Sequence, residues 1–526
     1  MNVLSPRSFA EPSTDPVELA DLVGSAYAEQ VTADHRKDHG LYLTPPAVAR
    51  FMGELVGTHL GTARILDPAA GGGILVCGAV EAMLSKDSRP DRIEVTAYEV
   101  DPALARELQQ VLTSLAEWAG KRGVELTFEV RNKDFVLANA DALEGLGGLF
   151  APGPLRSYDV IISNPPYFKL NKQDPRAQAA LSIVHGQPNI YGLFMAIGAS
   201  LLRPAGDFIF ITPRSFASGP YFRAFRERFF SVIRPEFMHV FGSRRDAFAR
   251  DAVLQENVIL HGVRDNNWSD GQVRISTSAG VSDLEERQVR TVTIPDVLDL
   301  TSRERVLRMP ATQSDDDIMR LVDGWPGSLA AYKWKISTGP VVPFRAREFQ
   351  SKEGGPEYVP LLWMNHVRPM QVTWPLARHK PEHIQNVPAS QYILLPNLNY
   401  VLLRRFSAKE EKRRLVAAPY LAQNFDVPMI GLENHLNYIH KPGGSLSEDE
   451  VFGITALLNS SHLDTWFRAV NGNTQVSATE IRSMPLPPHD VIVALGRMAR
   501  GVVDLAGIDE LVEQVLRTTP EALCPS

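Results

Sequence analysis

The stretch I-L-D-P-A-A-G-G-G-I-L, residues 65 to 75, joins two apolar runs through three consecutive glycines. The first run, A-R-I-L-D (63–67), is typical of a buried strand, and the second, I-L-V-C-G-A-V-E-A-M-L (74–84), is typical of a helix. Glycines between them allow a tight turn and a close approach of the backbone to a ligand. The G-x-G-x-x-G spacing is absent and no G-K-[ST] follows, so a phosphate-binding loop is not indicated.

Strand-like and helical runs alternate outward from this stretch, from Gly40 to about Val263. A helix is predicted over 102–112, and the further strand-like runs are I-E-V-T-A-Y-E-V (93–100), Y-D-V-I-I-S-N (158–164), D-F-I-F-I-T-P (207–213) and E-N-V-I-L-H (256–261). This alternation predicts an α/β fold: a doubly wound, mostly parallel, Rossmann-like sheet with helices on both faces. Ligands of such sheets bind beyond the carboxyl ends of the strands.

The 526 residues are too many for one hydrophobic core, so further domains are expected. Residues 1–39 are polar and form an N-terminal extension, with a helix predicted from Val17 to Ala33. Residues 264–330 are polar without a clear period and are interpreted as a connecting region. Residues 331–490, rich in Pro, Trp, Tyr, Asn and basic residues, indicate a loop-rich mixed α/β domain, and 491–526 complete a C-terminal helical pair that begins near 489.

The charge is distributed unevenly along the chain. The whole chain carries −7, whereas the segment from Ala331 to Tyr420 has fourteen Lys and Arg against six Glu and no Asp. That segment therefore carries +8 and the remainder −15. Such an asymmetry predicts one electropositive surface on an acidic body, although scattered solvated charges would give the same count.

Cysteine usage and the N-terminus predict a soluble cytoplasmic protein. Cys77 and Cys524 are the two cysteines, which argues against a disulfide framework and a cysteine-based zinc site. The first residues lack the apolar core of a signal peptide, and no apolar run is long enough to span a membrane. The segment D-H-R-K-D-H (34–39) is interpreted as a solvated helix end rather than as a set of metal ligands, so no metal is expected.

Two acidic residues accompany the glycine loop. Asp67 stands at its entrance, and Glu99 lies near the end of the next predicted strand. A carboxylate at the tip of that second strand is placed to accept hydrogen bonds from ribose hydroxyls. The pocket therefore suits a nucleoside without a polyphosphate, although a surface carboxylate alone would explain Glu99.

The segment S-N-P-P-Y-F-K (163–169) ends another predicted strand beside this pocket. Two prolines fix the turn, so the Asn164 amide oxygen and the Pro165 carbonyl can aim at one point and hold an exocyclic amine. Accepting both amine protons would localise the nitrogen lone pair without a shifted side-chain base. Tyr167, or Phe168, offers a ring on which a flipped base can stack. The simpler alternative is a Pro-Pro turn with Tyr167 in the core.

These motifs together resemble the γ-class N6-adenine DNA methyltransferases of type II restriction-modification systems. In that family D-P-[AS]-C-G-[ST]-G corresponds to D-P-A-A-G-G-G (67–73), with Ala70 and Gly72 as departures. The segment G-L-Y-L-T-P-P-A-V-A-R-F-M (40–52) resembles the motif that packs against the methionine part of S-adenosylmethionine, and N-K-D-F (132–135) resembles the motif that contacts its adenine. N-P-P-Y (164–167) is the family's catalytic motif.

The resemblance implies a site for each part of the reaction. It implies catalytic roles for Asn164, Pro165, Pro166 and Tyr167. It implies S-adenosylmethionine contacts at Tyr42, Thr44, Asp67, Ala69, Gly71, Gly73, Glu99, Val100, Asp134 and Phe135. A second aromatic would sandwich the flipped adenine with Tyr167; Phe248 is the candidate and Phe241 the competitor.

The C-terminal half resembles target recognition domains, and residues 458–487 resemble those of the PaeR7I, SalI and XamI modification methylases. The resemblance implies double-stranded DNA as the substrate and a cognate restriction endonuclease, on another chain, as the functional partner. The pool for phosphate and guanine contacts is Arg345, Arg347, Arg368, Arg378, Arg404, Arg405, Arg413 and Arg414.

Two other classes of protein share some of these features. Methyltransferases of protein glutamine or of rRNA bases also use N-P-P-Y, but they are usually shorter and lack a large C-terminal recognition domain. A catalytically silent nucleic-acid-binding module is the other alternative, and the intact Asn164 and glycine loop argue against it.

Overall fold

The computed structural model describes residues 15–143, 158–183, 188–241, 257–310, 312–377, 379–407, 411–471 and 475–518. The chain divides into two compact units, unit 1 (Met1–Ala311) and unit 2 (Thr312–Ser526). No helix among the described residues is long and apolar enough to cross a membrane.

Unit 1 alternates helices and strands over most of its length. Its helices are α1 (Pro16–Gln30), α2 (Ala33–His39), α3 (Pro46–Glu54), α4 (Ile74–Ser85), α5 (Pro102–Gly120), α6 (Phe135–Asn139), α7 (Pro175–Ala179), α8 (Ile190–Leu201), α9 (Arg223–Phe229) and α10 (Ile294–Val297). Its strands are β1 (Thr62–Asp67), β2 (Arg92–Tyr98), β3 (Glu125–Arg131), β4 (Tyr158–Ser163), β5 (Leu202–Pro213), β6 (Ile233–Phe241), β7 (Asn257–Arg264), β8 (Gln272–Ser278) and β9 (Gln288–Thr293).

The strands of unit 1 form one mixed sheet in the order β3-β2-β1-β4-β5-β7-β6-β8-β9. From β3 to β5 all pairings are parallel, β7 runs antiparallel to both β5 and β6, and β6 pairs in parallel with β8. The strand order reverses between β1 and β4, so their carboxyl ends form the crevice in which sheets of this type bind ligands. The predicted mostly parallel α/β sheet is confirmed.

The core of unit 1 lies on both faces of this sheet. Phe208 and Phe210 of β5 pack into one hydrophobic cluster, and the alternating Ile209 and Ile211 pack into the other. Side chains of a strand alternate between faces, so an uninterrupted apolar strand such as β5 requires cover on both sides. Helix α8 supplies cover on the first face, and α1, α3, α4 and α5 supply it on the second.

Aspartate-proline pairs begin two helices on the second face. The carboxylates of Asp15 and Asp101 accept backbone N–H groups of the first turns of α1 and α5, at 2.9 and 2.8 Å. The following prolines lose no hydrogen bond there, because the first N–H groups of a helix have no partner within it. A longer helix was expected from Val17 to Ala33; the structure has α1 and then the short α2.

Unit 2 contains three small sheets and a set of helices among its described residues. Its helices are α11 (Gln313–Asp323), α12 (Glu448–Asn459), α13 (Ser461–Val470), α14 (Ala478–Arg482), α15 (His489–Ala499) and α16 (Leu505–Thr518). Its strands are β10 (Lys335–Thr338), β11 (Gln350–Ser351), β12 (Tyr358–Leu362), β13 (Val367–Arg368), β14 (Gln371–Val372), β15 (His383–Gln385), β16 (Leu395–Pro396), β17 (Tyr400–Arg404), β18 (Ala417–Tyr420), β19 (Met429–Leu432) and β20 (Leu436–His440).

The units divide at other positions than the sequence indicated. The segment 264–330, interpreted as a connecting region, contains β8 and β9 of the large sheet, and the division into units falls at Ala311. Each of these strands has one polar, exposed face, so the average polarity of the segment is high. The average therefore does not reveal buried residues such as Val273 and Ile275. The expected C-terminal helical pair is present as α15 and α16, within unit 2.

Candidate active site

A cavity of about 240 Å³ lies at the carboxyl ends of the central strands of unit 1. Loops that follow β1, β2, β3 and β4 meet there, as the reversal of strand order between β1 and β4 requires. Nine of the residues predicted from the sequence line it: Tyr42, Ala69, Gly71, Glu99, Val100, Asp134, Phe135, Asn164 and Pro166. Thr44 lines a smaller adjoining cavity of about 40 Å³, which shares Tyr42, Gly71 and Asn164 with the larger one.

The glycine loop is held by hydrogen bonds to the ends of its two neighbouring strands. The Ala70 N–H donates to the Tyr98 carbonyl at 2.9 Å, and the Gly71 N–H donates to Glu99 Oε2 at 3.0 Å. Asp67 is fully buried at the end of β1, where its Oδ1 accepts the Ala69 N–H at 3.1 Å. Burial raises the pKa of Asp67 to about 7. Asp67 therefore holds the start of the glycine loop through the Ala69 N–H. Gly73 is the N-cap residue of α4.

Glu99 lines the larger cavity. Its Oε1 accepts the Asp101 N–H at 2.8 Å while its Oε2 holds the loop. Asn132 donates to the backbone carbonyls of Glu99 and Val100, at 2.8 and 3.0 Å. Each carboxylate oxygen has further acceptor capacity, so Glu99 can hold the loop and still bind hydroxyl groups in the cavity.

Asp134 and Phe135 form the part of the wall that follows β3. The Asp134 carboxylate caps α6 by accepting the Leu137 N–H at 3.0 Å, and Arg176 approaches it to 3.7 Å. Phe135 is 2% exposed, and its ring packs edge-on against Tyr98 and tilted against Phe194, with centroids 5.2 and 5.1 Å away. A buried aromatic beside a carboxylate suits a flat heterocycle that carries a hydrogen-bond donor.

Asn164 follows β4 and is held from two sides. Its Nδ2 donates to Thr44 Oγ1 at 3.0 Å, and its Oδ1 accepts a hydrogen bond from the Tyr167 hydroxyl. That hydroxyl is shared with the Ile211 carbonyl oxygen, 3.1 Å away. These contacts orient the amide in the wall where the two cavities meet.

Tyr167 is 8% exposed, and burial raises its pKa well above the ordinary value. Tyr42 stacks on its ring, with centroids 5.6 Å apart and planes 17° apart, and Tyr191 packs edge-on at 6.3 Å. Tyr42 and Phe168 are among the described lining residues of the cavity, and Tyr167 is not. Pro165 is buried beneath the same turn.

Three residues near the cavity were not singled out from the sequence. Asp101 lines the cavity, and its Oδ2 accepts a short hydrogen bond from the Tyr27 hydroxyl and pairs with His35 Nε2 at 2.7 Å. Burial alone would raise the pKa of Asp101, but these hydrogen bonds and that of the Ala103 N–H lower it to about 2. His35 lies in D-H-R-K-D-H, where only a solvated helix end was expected.

Helix α1 also explains one departure from the family's glycine-loop pattern. A Cβ on Gly72, where the family has Ser or Thr, would lie 3.2 Å from the Ala20 carbonyl oxygen and 3.3 Å from Gly24 Cα of α1. Ala20, Asp21 and Gly24 line the smaller cavity with the loop. The N-terminal extension is therefore part of the wall, and its long-range hydrogen bonds have no signature in the local sequence.

The predicted second aromatic is only partly described. Phe248 lies outside the described residues. Phe241 is 2% exposed at the end of β6 and packs against His239 in the hydrophobic cluster on the α4 face of the sheet. Phe241 is therefore a core residue.

The predicted pool of arginines in unit 2 separates into two groups. Arg345, Arg347 and Arg368 are exposed, whereas Arg378 lies outside the described residues. The others bond to the chain itself. Arg404 donates to the Val367 carbonyl at 2.7 Å, Arg405 to the Asn434 carbonyl at 3.0 Å, Arg413 to the Asn459 carbonyl at 3.3 Å, and Arg414, 1% exposed, to Ser407 Oγ at 3.0 Å.

Comparisons with known proteins agree on one family. Residues 128–248 match the model of the Eco57I restriction-modification methylase family. The type II methyltransferase M.PstI of Providencia stuartii is 30% identical over 507 residues, which cover 95% of this chain and 98% of that protein. M.BsuBI of Bacillus subtilis, also a type II methyltransferase, is 31% identical over 489 residues, or 92% of this chain and 95% of that one.

A solved structure of the type IIG restriction endonuclease BpuSI aligns with 96% of this chain and 68% of its own at 13% identity, with a TM-score of 0.44. The two sequence matches extend over nearly the full length of both proteins, and they confirm the expected resemblance to restriction-modification methylases at the level of the family. The chain belongs to the type II methyltransferases, the family of M.PstI and M.BsuBI.

Proposed function

We propose that this protein methylates the N6 amine of adenine within a short specific sequence of double-stranded DNA, with S-adenosylmethionine as the methyl donor. The observation that carries the proposal is the Asn164 amide in the wall of a cavity that Glu99, Asp134 and Phe135 also line. The modification would protect host DNA from a cognate restriction endonuclease on another chain.

The residues around the cavity fit the proposed donor. Glu99 would accept hydrogen bonds from the ribose hydroxyls, Asp134 would accept one from the adenine amine, and Phe135 would pack on the adenine ring. The smaller cavity, between the glycine loop and Thr44, would take the methionine part. When bound, S-adenosylmethionine supplies an electrophilic methyl group on its sulfonium.

The proposed role of Asn164 is to orient the amine that is methylated. Its Oδ1, with the Pro165 carbonyl, would accept the two amine protons and localise the nitrogen lone pair. The hydrogen bonds from Asn164 to Thr44 and from Tyr167 to Asn164 hold the amide before any substrate arrives, which is how preorganised dipoles lower a barrier. The proposed step requires no side chain with an unusual pKa.

Stacking of the flipped adenine on Tyr167 is part of the same proposal. Tyr42 covers one face of the Tyr167 ring, so a base can reach that face only if Tyr42 moves aside. We therefore propose that entry of the adenine displaces the ring of Tyr42, and that Tyr42 or Phe168 then lies against the base.

The test is methylation of bacteriophage DNA from a host that lacks DNA methylases, with labelled S-adenosylmethionine, nucleoside analysis and mapping of the modified positions. We expect label in N6-methyladenine at one short repeated sequence. Label in cytosine would overturn the choice of amine, and label in protein or rRNA but not in DNA would overturn the proposed substrate.

Removal of the Tyr27 hydroxyl should weaken cofactor binding without abolishing catalysis. In Tyr27→Phe, Asp101 loses one of the two side chains that hold it, and Glu99 is bonded to the backbone of Asp101. We expect the Kd for S-adenosylmethionine to rise about 3- to 10-fold, the usual effect of one hydrogen bond, at an unchanged kcat under saturation. Isothermal titration calorimetry and steady-state kinetics measure the two quantities.

Tyr400→Phe is the matched control for that variant. It removes a hydroxyl that donates to the Pro396 carbonyl at 2.8 Å in unit 2, and Tyr400 lines neither cavity. Tyr400→Phe and Tyr27→Phe should lower the melting temperature by similar amounts. Tyr400→Phe should leave the affinity for S-adenosylmethionine unchanged. Equal affinities of Tyr27→Phe and Tyr400→Phe for S-adenosylmethionine would show that the Tyr27 hydroxyl does not contribute to cofactor binding.

A further inference from the structure

Phe344 is the most exposed large hydrophobic residue among those that the structure describes, at 77%. It lies in the loop V-P-F-R-A-R-E-F (342–349) between β10 and β11 of unit 2. An exposed phenylalanine forgoes the stabilisation that burial provides, so a single projecting ring is a reason to look for something that covers it.

Hydrogen bonds fix the backbone of the loop that carries this exposed ring. Val341 and Ala346, on either side, are buried in one hydrophobic cluster. The N–H groups of Arg345 and Ala346 both donate to the Val342 carbonyl, at 3.0 and 3.1 Å. Gln350 closes the loop by donating to the Pro343 carbonyl at 2.8 Å. The projection of Phe344 is therefore built into the turn.

Two arginines lie close to Phe344 in the chain. Arg345 and Arg347 are both exposed, and the Arg345 guanidinium carbon lies 5.4 Å from the Phe344 ring centroid. Neither arginine forms an ion pair with a carboxylate among the described residues. Both guanidinium groups are therefore available to an anionic partner that approaches the ring.

We infer that Phe344 stacks on, or inserts between, the bases of duplex DNA while Arg345 and Arg347 bind the flanking phosphates. This inference rests on the proposed function, because it takes DNA as the substrate. A protein partner would need an apolar patch of several hundred Å², whereas the immediate neighbours Val342 and Pro343 are half-buried and the ring projects singly. An apolar ring with a guanidinium group beside it suits a base step with a phosphate beside it.

Insertion of a ring would also favour the extrusion of a base. An apolar wedge unstacks a base step and bends the duplex, which lowers the cost of taking a nucleotide out of the stack. Phe344 would then assist the proposed flipping of adenine from outside the catalytic cavity.

The test compares Phe344→Ala with Tyr392→Ala on a duplex that contains the mapped methylation site. Tyr392 is the matched control because it is 75% exposed in the same unit and has no basic residue within five positions of it. We expect Phe344→Ala to weaken DNA binding about tenfold or more, the usual loss for an aromatic that stacks on a base, and Tyr392→Ala to bind as the wild type does. Phe344→Tyr should retain most of the affinity.

A direct signal of stacking comes from Phe344→Trp and Tyr392→Trp. Addition of the duplex should quench the added fluorescence of the first and leave that of the second unchanged. Arg345→Ala should reduce the slope of log affinity against log salt by roughly 1. Wild-type methylation together with an unquenched Trp at 344 and full affinity of Phe344→Ala would overturn the inference alone, whereas absent wild-type methylation of DNA would overturn the proposed function.

Discussion

Asn164→Ala should bind S-adenosylmethionine with nearly wild-type affinity and transfer methyl groups at least about 10²- to 10³-fold more slowly. The expected loss is that of one preorganised hydrogen-bonding group aimed at the charge that develops in a reaction. Cofactor affinity should persist because Glu99, Asp134 and Phe135, which we propose bind the adenosine part, stand on other loops. Single-turnover methylation at saturating cofactor measures the rate, and calorimetry measures the affinity.

Asn171→Ala is the control for this experiment. Asn171 lies seven residues further along the chain, is exposed, and uses its side-chain oxygen only to accept the Gln173 N–H at 3.2 Å among the described contacts. It should methylate as the wild type does. Retained turnover in Asn164→Ala would refute the amine-holding role, and parallel loss of cofactor binding would indicate a structural role for the amide instead.

Gly40→Ala should reduce methyl transfer by about 100-fold or more. Gly40 has a φ of +62°, and a Cβ there would lie 2.3 Å from Pro166 Cβ and 3.0 Å from Pro166 Cα. The clash involves a rigid proline ring, so either the segment with Tyr42 and Thr44 or the N-P-P-Y turn must shift. A misplacement of about 1 Å at a reacting centre costs on the order of 10²-fold in rate.

Gly61→Ala is the control, because it introduces the same backbone strain as Gly40→Ala without a clash. Gly61 has a φ of +66°, and a Cβ there has no neighbour within 4 Å among the described residues. Gly61→Ala should lose about 1–2 kcal/mol of stability, the cost of a left-handed conformation for a residue with a Cβ, and Gly40→Ala should lose at least as much because of its added clash. Denaturant unfolding measures that loss, and only Gly40→Ala should lose activity. Equal activities would show that the contact between Gly40 and Pro166 has no catalytic consequence.

Four of the five strands that the sequence predicted contain consecutive apolar residues, and the fifth, β2, alternates apolar with polar ones. Four of the runs became β1, β4, β5 and β7, and 93–100 became β2. The strand β3 reads E-L-T-F-E-V-R and lies at one edge of the sheet, so charged residues interrupt its apolar ones. The same applies to β8 and β9 near the other edge, which is why 264–330 was interpreted as a connecting region.

The candidate site was predictable where its residues lie in short motifs at the ends of strands. Glu99, Asp134 and Asn164 stand in such motifs, and the topology brings all three to one cavity. Tyr27 and His35 were missed because they reach Asp101 across 74 and 66 positions of the chain. A helix pattern reports which face of α1 is buried, but it does not report which residue that face will contact.

By itself the sequence determined five strands of the large sheet, the glycine loop after β1 and the placement of Asn164 at the end of a strand, because these depend on local periodicity and turn chemistry. Only the tertiary structure decided that Tyr42 covers Tyr167, that helix α1 packs closely against Gly72, and that Arg414 is buried while Arg345 is exposed. Such facts depend on contacts between residues distant in the chain, and the free energy of those contacts is set by packing and burial that no local pattern encodes.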